Sequence, residues 1–412
     1  REALYRCGLV PADVDEVIAG NVAGPPEAAN VARVISLRAG IPQDRIAHTV
    51  CRNCASGMEC LTEAVQQIEF GNSHCVVAVG VDSMSNIPVF WQKRLADKFW
   101  RVSRARTVFA KLQALSRIRP ADLKPEIGLV LGLTDPTTGL MMGETAEKLA
   151  REFQISREEQ DAFAYQSQQR ALTAWEGGRF QAEVMTVYPS QCFARNQRNG
   201  SPVERDDGPR SDSSLERLAR LKPVFDRRWG SVTVGNSCQV TDGAAALVLM
   251  SPELAGEKNL SPIGRIRSFA YAGCDPSRMG LGPVVATAEA LKRADLTLQE
   301  IDLVELNEAF AAQVLSCLKV FAGEYGSHQN ADRLCLTDEQ RQLLCPIEHD
   351  RLNVNGGAIA LGHPVGATGT RLVLTLLNEL TRRRLTTGLA TLCVGGGQGA
   401  AVIVERTAEE CE

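Results

Sequence analysis

Apolar positions along the chain alternate between helical spacing and short continuous runs. After residue 57 they recur three and four residues apart, at Met58, Leu61, Val65 and Ile68, and this spacing predicts an amphipathic helix. The run Cys75–Val81 that follows is almost wholly apolar, which is typical of a strand buried on both faces. The pattern therefore predicts helices and buried strands in alternation.

The same order of elements occurs twice. A short helical segment and an apolar strand at residues 2–17 are echoed at residues 289–304. Residues 54–57 and 366–369 each open a helix that leads to an apolar strand, and the second of these strands is Leu389–Val394. Two echoes in the same order predict an α/β protein built from two similar halves, with mainly parallel strand pairing.

The length of the chain leaves room for further structure between the strands of the first half. The predicted organisation is a first half that begins at 1–84, an inserted region at 85–229, the last strands of the first half at 230–262, and a second half at 263–412. The chain begins inside a predicted helix, so we expect a preceding N-terminal piece to be missing.

Composition excludes several classes of protein. The 412 residues carry a net charge of −4 and 44% hydrophobic residues, as expected for a globular protein that binds no nucleic acid. Thirteen cysteines spread over this length do not form a disulfide scaffold and indicate a reducing compartment. No apolar run reaches membrane-spanning length, and no signal peptide is visible.

Residues 88–127 differ from the rest of the chain. Ten basic side chains minus three acidic ones leave a local charge of +7 in this segment. Seven apolar residues form a stripe at helical spacing, namely Trp91, Leu95, Phe99, Val102, Phe109, Leu112 and Leu115. A basic amphipathic helix fits an anionic membrane surface or the groove of a partner protein. Alternatively, the stripe packs on the protein's own core and the basic face meets phosphates or solvent.

Cys54 is the first candidate for chemistry, because it lies just before the helix predicted after residue 57. Unpaired backbone N–H groups at a helix N-terminus stabilise a thiolate, so the position predicts a lowered pKa and a nucleophile. Cys54 could instead be a small buried apolar residue. Together with Cys51 it also forms C-R-N-C, a pattern found in dithiol redox and metal sites, although no second pair follows at zinc spacing.

Two distant glycine-rich loops carry matching chemistry. His363 follows Gly362, and Cys393 lies at a predicted strand end before Gly395–Gly397. A nucleophilic thiol, an imidazole and a second thiol together indicate acyl transfer. Taken singly, His363 fits a structural hydrogen-bonding role equally well, and Cys393 fits a buried strand end.

Six motifs in this order resemble the thiolase family over nearly the whole chain. They are Asn53-Cys54-Ala55-Ser56-Gly57, Met142 to Glu147, Asn236 with Thr241 to Ala245, Asn307 to Ala312, Gly362-His363-Pro364 and Cys393 to Gly397. The resemblance implies two repeated βαβαβαββ halves with an inserted loop domain, assembled as dimers or tetramers. It also implies that the missing N-terminal piece contains the first strand of the family's fold. It also implies coenzyme A and acyl-CoA thioesters as substrates, with no cofactor and no metal.

The resemblance also assigns roles to residues. Cys54 resembles the nucleophile, His363 its base, and Cys393 the thiol that moves the proton on the acetyl carbon. Asn307 resembles the residue that holds a water in an oxyanion hole with His363, although it could simply cap a helix that begins at Glu308. The N–H groups of Cys54 and Gly395 are expected to stabilise the thioester oxyanion.

Contacts with coenzyme A and the acyl group are expected from four positions: Met142, Asn236, Cys238 and Ala358. Cys238 stands where many thiolases have serine, and Met141 where short-chain biosynthetic members have histidine. Met141 and the insert favour a 3-oxoacyl-CoA of medium or long chain, cleaved by coenzyme A to acetyl-CoA in fatty-acid β-oxidation. The alternatives are an acetoacetyl-CoA-forming acetyltransferase and an inactive acyl-CoA-binding homologue.

The insert and residues 208–223 are most similar to the thiolase subunit of the trifunctional fatty-acid oxidation complex. That subunit usually has histidine where this chain has Asn307. The similarity implies a hydratase/dehydrogenase partner subunit and a bacterial cytoplasmic or mitochondrial matrix location. Peripheral membrane contact through residues 88–127 is a separate expectation, from the basic amphipathic pattern of that segment. Residues 321–352 contain His328, Cys335, Cys345 and His349, at a spacing that fits a polar surface loop better than a zinc site.

Overall fold

The computed structural model describes residues 1–188, 201–326, 333–334 and 336–407. The strands are β1 Glu16–Gly20, β2 Ile46–Val50, β3 Cys75–Ser83, β4 Val89–Trp91, β5 Pro125–Ile127, β6 Asp242–Met250, β7 Arg265–Gly273, β8 Leu303–Leu306, β9 Thr387–Val394 and β10 Gln398–Glu405. The helices of the first 180 residues are α1 Glu2–Arg6, α2 Val31–Ala39, α3 Ser56–Glu69, α4 Lys93–Arg104, α5 Val108–Leu115, α6 Gly128–Gly132, α7 Met142–Glu152 and α8 Arg157–Glu176. Those that follow are α9 Leu215–Ala219, α10 Pro252–Glu257, α11 Gly282–Ala294, α12 Ala311–Phe321, α13 Asp338–Gln342, α14 Ala358–Leu361 and α15 Val365–Arg383.

The predicted repeat is present in the structure. Helix α1 leads to β1 as α11 leads to β8, and α3 leads to β3 as α15 leads to β9. Each half contributes one four-stranded sheet, with the strand orders β2-β1-β3-β6 and β7-β10-β9-β8. The predicted α/β class is therefore confirmed.

The prediction of mainly parallel pairing is wrong. Strand β1 runs parallel to β2 and β3, and β8 runs parallel to β9. However, β6 is antiparallel to β3, and β10 is antiparallel to both β9 and β7. Only residues 395–397 separate β9 from β10, which is too short for the crossover that a parallel pair needs.

Helices α3 and α15 pack side by side between the two sheets. One continuous apolar core joins Ile18 and Val76 of the first sheet to Leu392 and Val402 of the second, with Met58 of α3 and Leu372 of α15 between them. Helix α11 covers the outer face of the second sheet, and α2 packs on the first. The two helices that follow Cys54 and His363 therefore share the central layer.

Between β3 and β6 the chain leaves the first sheet, and β6 then pairs with β3 along its full length. The predicted limits at residues 229 and 262 both fall between strands. The division into four ranges remains our proposal for the domain organisation.

Residues 88–127, which we call the basic hairpin, do not form the continuous helical stripe that the spacing predicted. Trp91 lies in β4, which pairs with β5, and the helical part is broken between α4 and α5. Thr107 causes this break, because its hydroxyl accepts a hydrogen bond from the N–H of Ala110 and so caps α5. Leu95 is buried, whereas Phe99 and Phe109 are 51% and 78% exposed, so most of the stripe does not pack on the core.

Candidate active site

The loop before α3 holds Cys54 in a tight turn. The N–H groups of Ala55 and Ser56 donate to the carbonyls of Arg52 and Asn53 at 2.9 and 3.0 Å. Asn53 has a φ of +43°, a left-handed conformation that asparagine tolerates better than most residues. Its side-chain N–H donates to the carbonyl of Gly395 at 2.9 Å. This bond joins the loop of the first thiol to the loop that follows Cys393.

The sequence predicted a lowered pKa for Cys54, and this prediction is wrong in direction. Burial is the largest effect and raises the pKa of the Cys54 thiol, with smaller contributions of the same sign from Asp82 and Cys51. The backbone N–H groups of Gly395 and Cys54 act in the opposite direction. Cys54 lies two residues before α3 in a largely apolar setting, so desolvation outweighs the helix N-terminus. The resting thiol therefore keeps its proton and needs a base.

His363 can supply that base. Its Nδ1 lies 2.6 Å from the hydroxyl oxygen of Thr368, and that hydroxyl donates to the carbonyl of Pro364 at 3.0 Å. Because the hydroxyl proton is used there, Thr368 accepts from Nδ1–H, and Nε2 remains free to accept a proton. Burial, with a smaller effect of Arg371, lowers the pKa of His363 to about 4. The imidazole is therefore neutral at physiological pH.

Asn307 lies beside this imidazole and caps no helix. Its Nδ2 is 3.5 Å from Nε2 of His363, and its own backbone N–H donates to the carbonyl of Thr391 in β9. Helix α12 begins at Ala311, so the alternative of a helix cap at Glu308 is wrong. The Oδ1 of Asn307 is buried and accepts no hydrogen bond from the described residues. The carboxamide thus has an acceptor left for a water or a substrate group.

Cys393 ends β9 in the same region and is 1% exposed. Burial raises the pKa of its thiol well above the ordinary value, and Cys54, Cys317 and Cys238 add to the shift in that order. The hydrogen bond from Asn53 to the carbonyl of Gly395 brings the residue before Cys54 to the loop that follows Cys393. Burial therefore favours the protonated form of Cys393 in a strand end next to the Cys54 loop.

The four positions expected to contact substrate differ in their surroundings. A Cβ atom added at Gly395 would lie 3.5 Å from Sδ of Met142, so Met142 borders this loop. Cys238 lies near Cys54, and burial followed by the effect of Cys54 raises its pKa to about 12. Ala358 is fully buried in α14, five residues before His363.

Asn236 has a carboxamide that is used within the protein. Its Oδ1 accepts from the N–H of Thr233 at 2.8 Å, and its Nδ2 donates to Asp161 and to the carbonyl of Ser231. Asn236 is also completely buried. This arrangement favours a structural role for the side chain rather than the predicted substrate contact.

The two catalytic loops are brought together where α3 and α15 cross. A Cβ added at Gly57 would lie 2.7 Å from the carbonyl oxygen of Gly366, and one at Gly369 would lie 2.4 Å from the N of Met58. Only glycine permits such an approach of two backbones. Cys54 precedes Gly57 by three residues, and His363 precedes Gly366 by three. The crossing therefore brings the segment that carries Cys54 in one half to the segment that carries His363 in the other.

Sequence reasoning missed three residues that support the site. Thr368 fixes the His363 tautomer, and Asp82 accepts four hydrogen bonds at the helix crossing. Glu308, fully buried, accepts from Ser167, Asn353 and the N–H of Ile359 and so holds the segment before His363. All three lie within or near quoted motifs or strands, but their partners are distant in sequence, so no local pattern marks their roles.

Within the described residues, no group of three or more His, Cys, Asp and Glu side chains could hold a metal ion. Two of the side chains considered for zinc, His328 and Cys335, lie outside the described residues. The described helices also include none with the length and apolar character needed to span a bilayer.

A thiol before a helix, a neutral imidazole with an unprotonated Nε2, and a protonated second thiol are the groups that acyl transfer through a covalent thioester requires. Comparison with known proteins identifies the family. The models for the N-terminal and C-terminal domains of thiolase match residues 1–253 and 260–406. The chain belongs to the thiolase family and is an acyltransferase.

Several relatives resemble the chain over almost its full length. A 3-ketoacyl-CoA thiolase of Serratia proteamaculans is 42% identical over 98% of this chain and 89% of its own. The structure of human mitochondrial 3-ketoacyl-CoA thiolase in complex with CoA has a TM-score of 0.82 and 36% identity, covering 99% of this chain and 90% of that one. An acetyl-CoA acetyltransferase of Bacillus anthracis has a TM-score of 0.82 and 37% identity, covering 98% and 90%. Structures with both enzyme names thus resemble this chain.

Proposed function

We propose that the protein is an acetyl-CoA C-acyltransferase that cleaves 3-oxoacyl-CoA with coenzyme A in fatty-acid β-oxidation. The observation that supports this proposal is the contact of the Cys54 loop with two others, the loop after Cys393 through Asn53 and Gly395, and the segment after His363 through Gly57 and Gly366. Cys54 faces N–H donors and can be deprotonated by a base, whereas Cys393 is buried and keeps its proton. Ketoacyl-ACP synthases share the fold but lack the second thiol, so Cys393 argues against that class.

The first half of the reaction follows from these groups. His363 Nε2 takes the proton of Cys54, and the sulfur attacks the 3-oxo carbon, whose oxyanion is stabilised by the N–H groups of Cys54 and Gly395. The bond between C2 and C3 then breaks, and its electron pair passes to C2 as the enolate of acetyl-CoA. Cys393 donates its proton to C2. Acetyl-CoA leaves, and the shortened acyl group remains on Cys54 as a thioester.

The second half transfers that acyl group to coenzyme A. The thiol of coenzyme A gives its proton back to the Cys393 thiolate and attacks the thioester, and the sulfur of Cys54 leaves with the proton from His363. Both thiols then regain their starting protonation states, and every proton transfer is accounted for by the two thiols, the imidazole and the substrates. Since acetyl-CoA leaves before coenzyme A enters, ping-pong kinetics follow.

Chain length separates this proposal from acetoacetyl-CoA synthesis. We expect kcat/KM for a sixteen-carbon 3-oxoacyl-CoA to exceed that for acetoacetyl-CoA by at least about tenfold. Burial of each methylene of the acyl chain stabilises the bound substrate and transition state by about 0.8 kcal/mol. A tenfold ratio corresponds to about 1.4 kcal/mol, so burial of two of the twelve extra carbons is enough to produce it. Thiolytic cleavage of both substrates, followed by loss of absorbance of the 3-oxo thioester, measures the ratio. Equal rates, or a preference for four carbons, would favour the acetyltransferase, and no cleavage of either would favour the inactive homologue.

The basic hairpin supports a second proposal, that the protein contacts an anionic membrane surface. Trp100, Phe109 and Leu112 are 62%, 78% and 60% exposed, so this face of the hairpin has no apolar cover within the described chain. Arg101, Arg104 and Lys111 are exposed on the same two helices. Aromatic residues beside basic ones suit the boundary between acyl chains and anionic headgroups.

This proposal predicts binding to vesicles that contain one-third phosphatidylglycerol but not to vesicles of phosphatidylcholine alone. The double substitution Phe109→Ser with Leu112→Ser should weaken binding at least about tenfold, because each exposed apolar side chain contributes roughly 1.5 kcal/mol or more when buried. Co-sedimentation measures the affinity, and Phe70→Ser, which changes a residue 79% exposed outside the hairpin, is the matched control. Equal binding of wild type and double variant would refute the proposal. Binding to a purified hydratase/dehydrogenase subunit instead would assign the hairpin to a protein partner.

Assembly and location rest on the family resemblance. We propose a homodimer or tetramer, with a hydratase/dehydrogenase partner subunit, in the bacterial cytoplasm or mitochondrial matrix. The named relatives include bacterial proteins and a human mitochondrial one, which supports both locations.

A further inference from the structure

Asp82 is a buried carboxylate at the point where the two halves meet. It is the penultimate residue of β3 and is 2% exposed. Its Oδ1 accepts from Nδ2 of Asn21 at 2.8 Å and from the N–H groups of Val22 and Ala23 at 3.1 and 2.8 Å. Its Oδ2 accepts from the N–H of Gly366 at 2.5 Å. Four donors fit the ionised carboxylate, although burial outweighs their effect and raises the pKa of Asp82 above its ordinary value.

Only the last of these bonds crosses between the halves. Gly366 is the second residue of α15, where an N–H group has no partner within the helix and a negative charge is favourable. His363 lies three residues earlier, and Thr368, which holds Nδ1 of His363, lies two residues later. Asp82 therefore fixes the helical turn that sets both the position and the tautomer of the imidazole.

No other side chain could take over this contact. A Cβ at Gly366 would lie 2.8 Å from the carbonyl oxygen of Val81 and 2.9 Å from that of Gly20, so α15 touches the ends of β1 and β3 directly. Among the described residues, Asp82 alone has a side chain that accepts from the N–H of Gly366. A small movement of α15 away from β3 would carry His363 away from Cys54, and misplacement by about 1 Å can cost roughly 100-fold in rate.

We propose that Asp82 is a positioning residue, which holds His363 in reach of Cys54 by anchoring the first turn of α15 to the end of β3. This inference rests on the proposed function, because it assigns a purpose to Asp82 only if His363 activates Cys54. Asp82 acts through the helix and does not touch the reacting atoms.

Asp82→Asn tests this proposal with little change of shape. The carbonyl oxygen of the new asparagine can still accept hydrogen bonds from Asn21, Val22 and Ala23. Its NH2 group then faces the N–H of Gly366, and because both groups are donors this hydrogen bond is lost. We expect the rate of acyl-enzyme formation to fall about 10- to 100-fold, with KM within about threefold. Rapid-quench mass spectrometry measures the acylation rate. Asn21→Ala, which removes one bond to the same carboxylate but leaves Gly366 in place, is the matched control and should stay within about threefold of wild type.

A double-mutant cycle separates positioning from a general loss of structure. In a His363→Ala background, Asp82→Asn should change the residual acylation rate less than about twofold, because the residue that it positions is absent. Additive losses would show that Asp82 acts on the fold at large and would overturn the proposal, as would a single variant with wild-type acylation. If Asp82→Asn does not fold, Asp82→Glu, which keeps the charge but moves it by one methylene, carries the same cycle. Failure of the proposed function would appear differently, as a wild-type protein that forms no acyl-enzyme.

Discussion

Cys54→Ala protein is expected to form no acyl-enzyme and to lose thiolytic turnover by roughly 10⁴-fold or more, as when other enzymes lose their nucleophile. Alanine leaves the turn around Arg52 and Asn53 intact, because the bonds of that turn use backbone groups. Removing a sulfur from a largely apolar setting should barely affect folding. Intact-mass spectrometry after brief exposure to palmitoyl-CoA measures the thioester, which should be present in wild type and absent in the variant.

Cys51→Ala is the matched control, because Cys51 belongs to the same C-R-N-C segment but is exposed. The acyl-transfer mechanism gives Cys51 no part, so this variant should acylate and turn over as wild type does. Loss of activity in Cys51→Ala would instead support the alternative in which Cys51 and Cys54 act together as a dithiol. A palmitoyl thioester on the Cys54→Ala protein would place the nucleophile elsewhere and end the proposed mechanism.

Cys393→Ala should separate the two chemical steps. When a saturated acyl-CoA acylates Cys54, no carbon is protonated, and Cys393 serves only to protonate the departing sulfur of coenzyme A. A thiolate leaves readily without an acid, so acylation should remain within about tenfold of wild type. Cleavage of 3-oxoacyl-CoA, in contrast, leaves an enolate that must be protonated, and loss of a positioned acid costs typically 10²- to 10⁴-fold. Parallel assays of palmitoyl-CoA acylation and 3-oxoacyl-CoA cleavage measure the two effects.

Cys317→Ala is the control for this experiment. Cys317 is also buried, and burial raises its pKa to about 12, yet its thiol donates to the carbonyl of Gly280. It should therefore leave both assays close to wild type. Normal cleavage by Cys393→Ala would show that another group protonates C2, and Cys238, near Cys54, would then be the next candidate.

The sequence predicted the order of helices and strands and the positions of the two cysteine-bearing loops, because both depend on local signals. Helical spacing after residue 57 and the apolar run from Cys75 correspond to α3 and to β3, which extends to Ser83. The positions of Cys54 and Cys393 before a helix and at a strand end are also as predicted. Glycines around these thiols marked the loops because only glycine permits such close approaches.

The wrong predictions concern properties that depend on contacts outside the local sequence pattern. The direction of the Cys54 pKa depended on burial by the second half of the molecule, which the position before a helix could not reveal. The apolar stripe of the basic hairpin has helical spacing, but the cap at Thr107 and the pairing of β4 with β5 divide it. Asp82 and Thr368 gained their roles from contacts that form only when α15 docks or its first turn closes.

The crossing of α3 and α15 has a consequence for how the two repeats depend on each other. In the proposed mechanism one repeat supplies the sulfur that carries the acyl group, and the other supplies the imidazole, the carboxamide and the second thiol. The repeats share the order of their elements but differ in chemistry, so neither could take the place of the other.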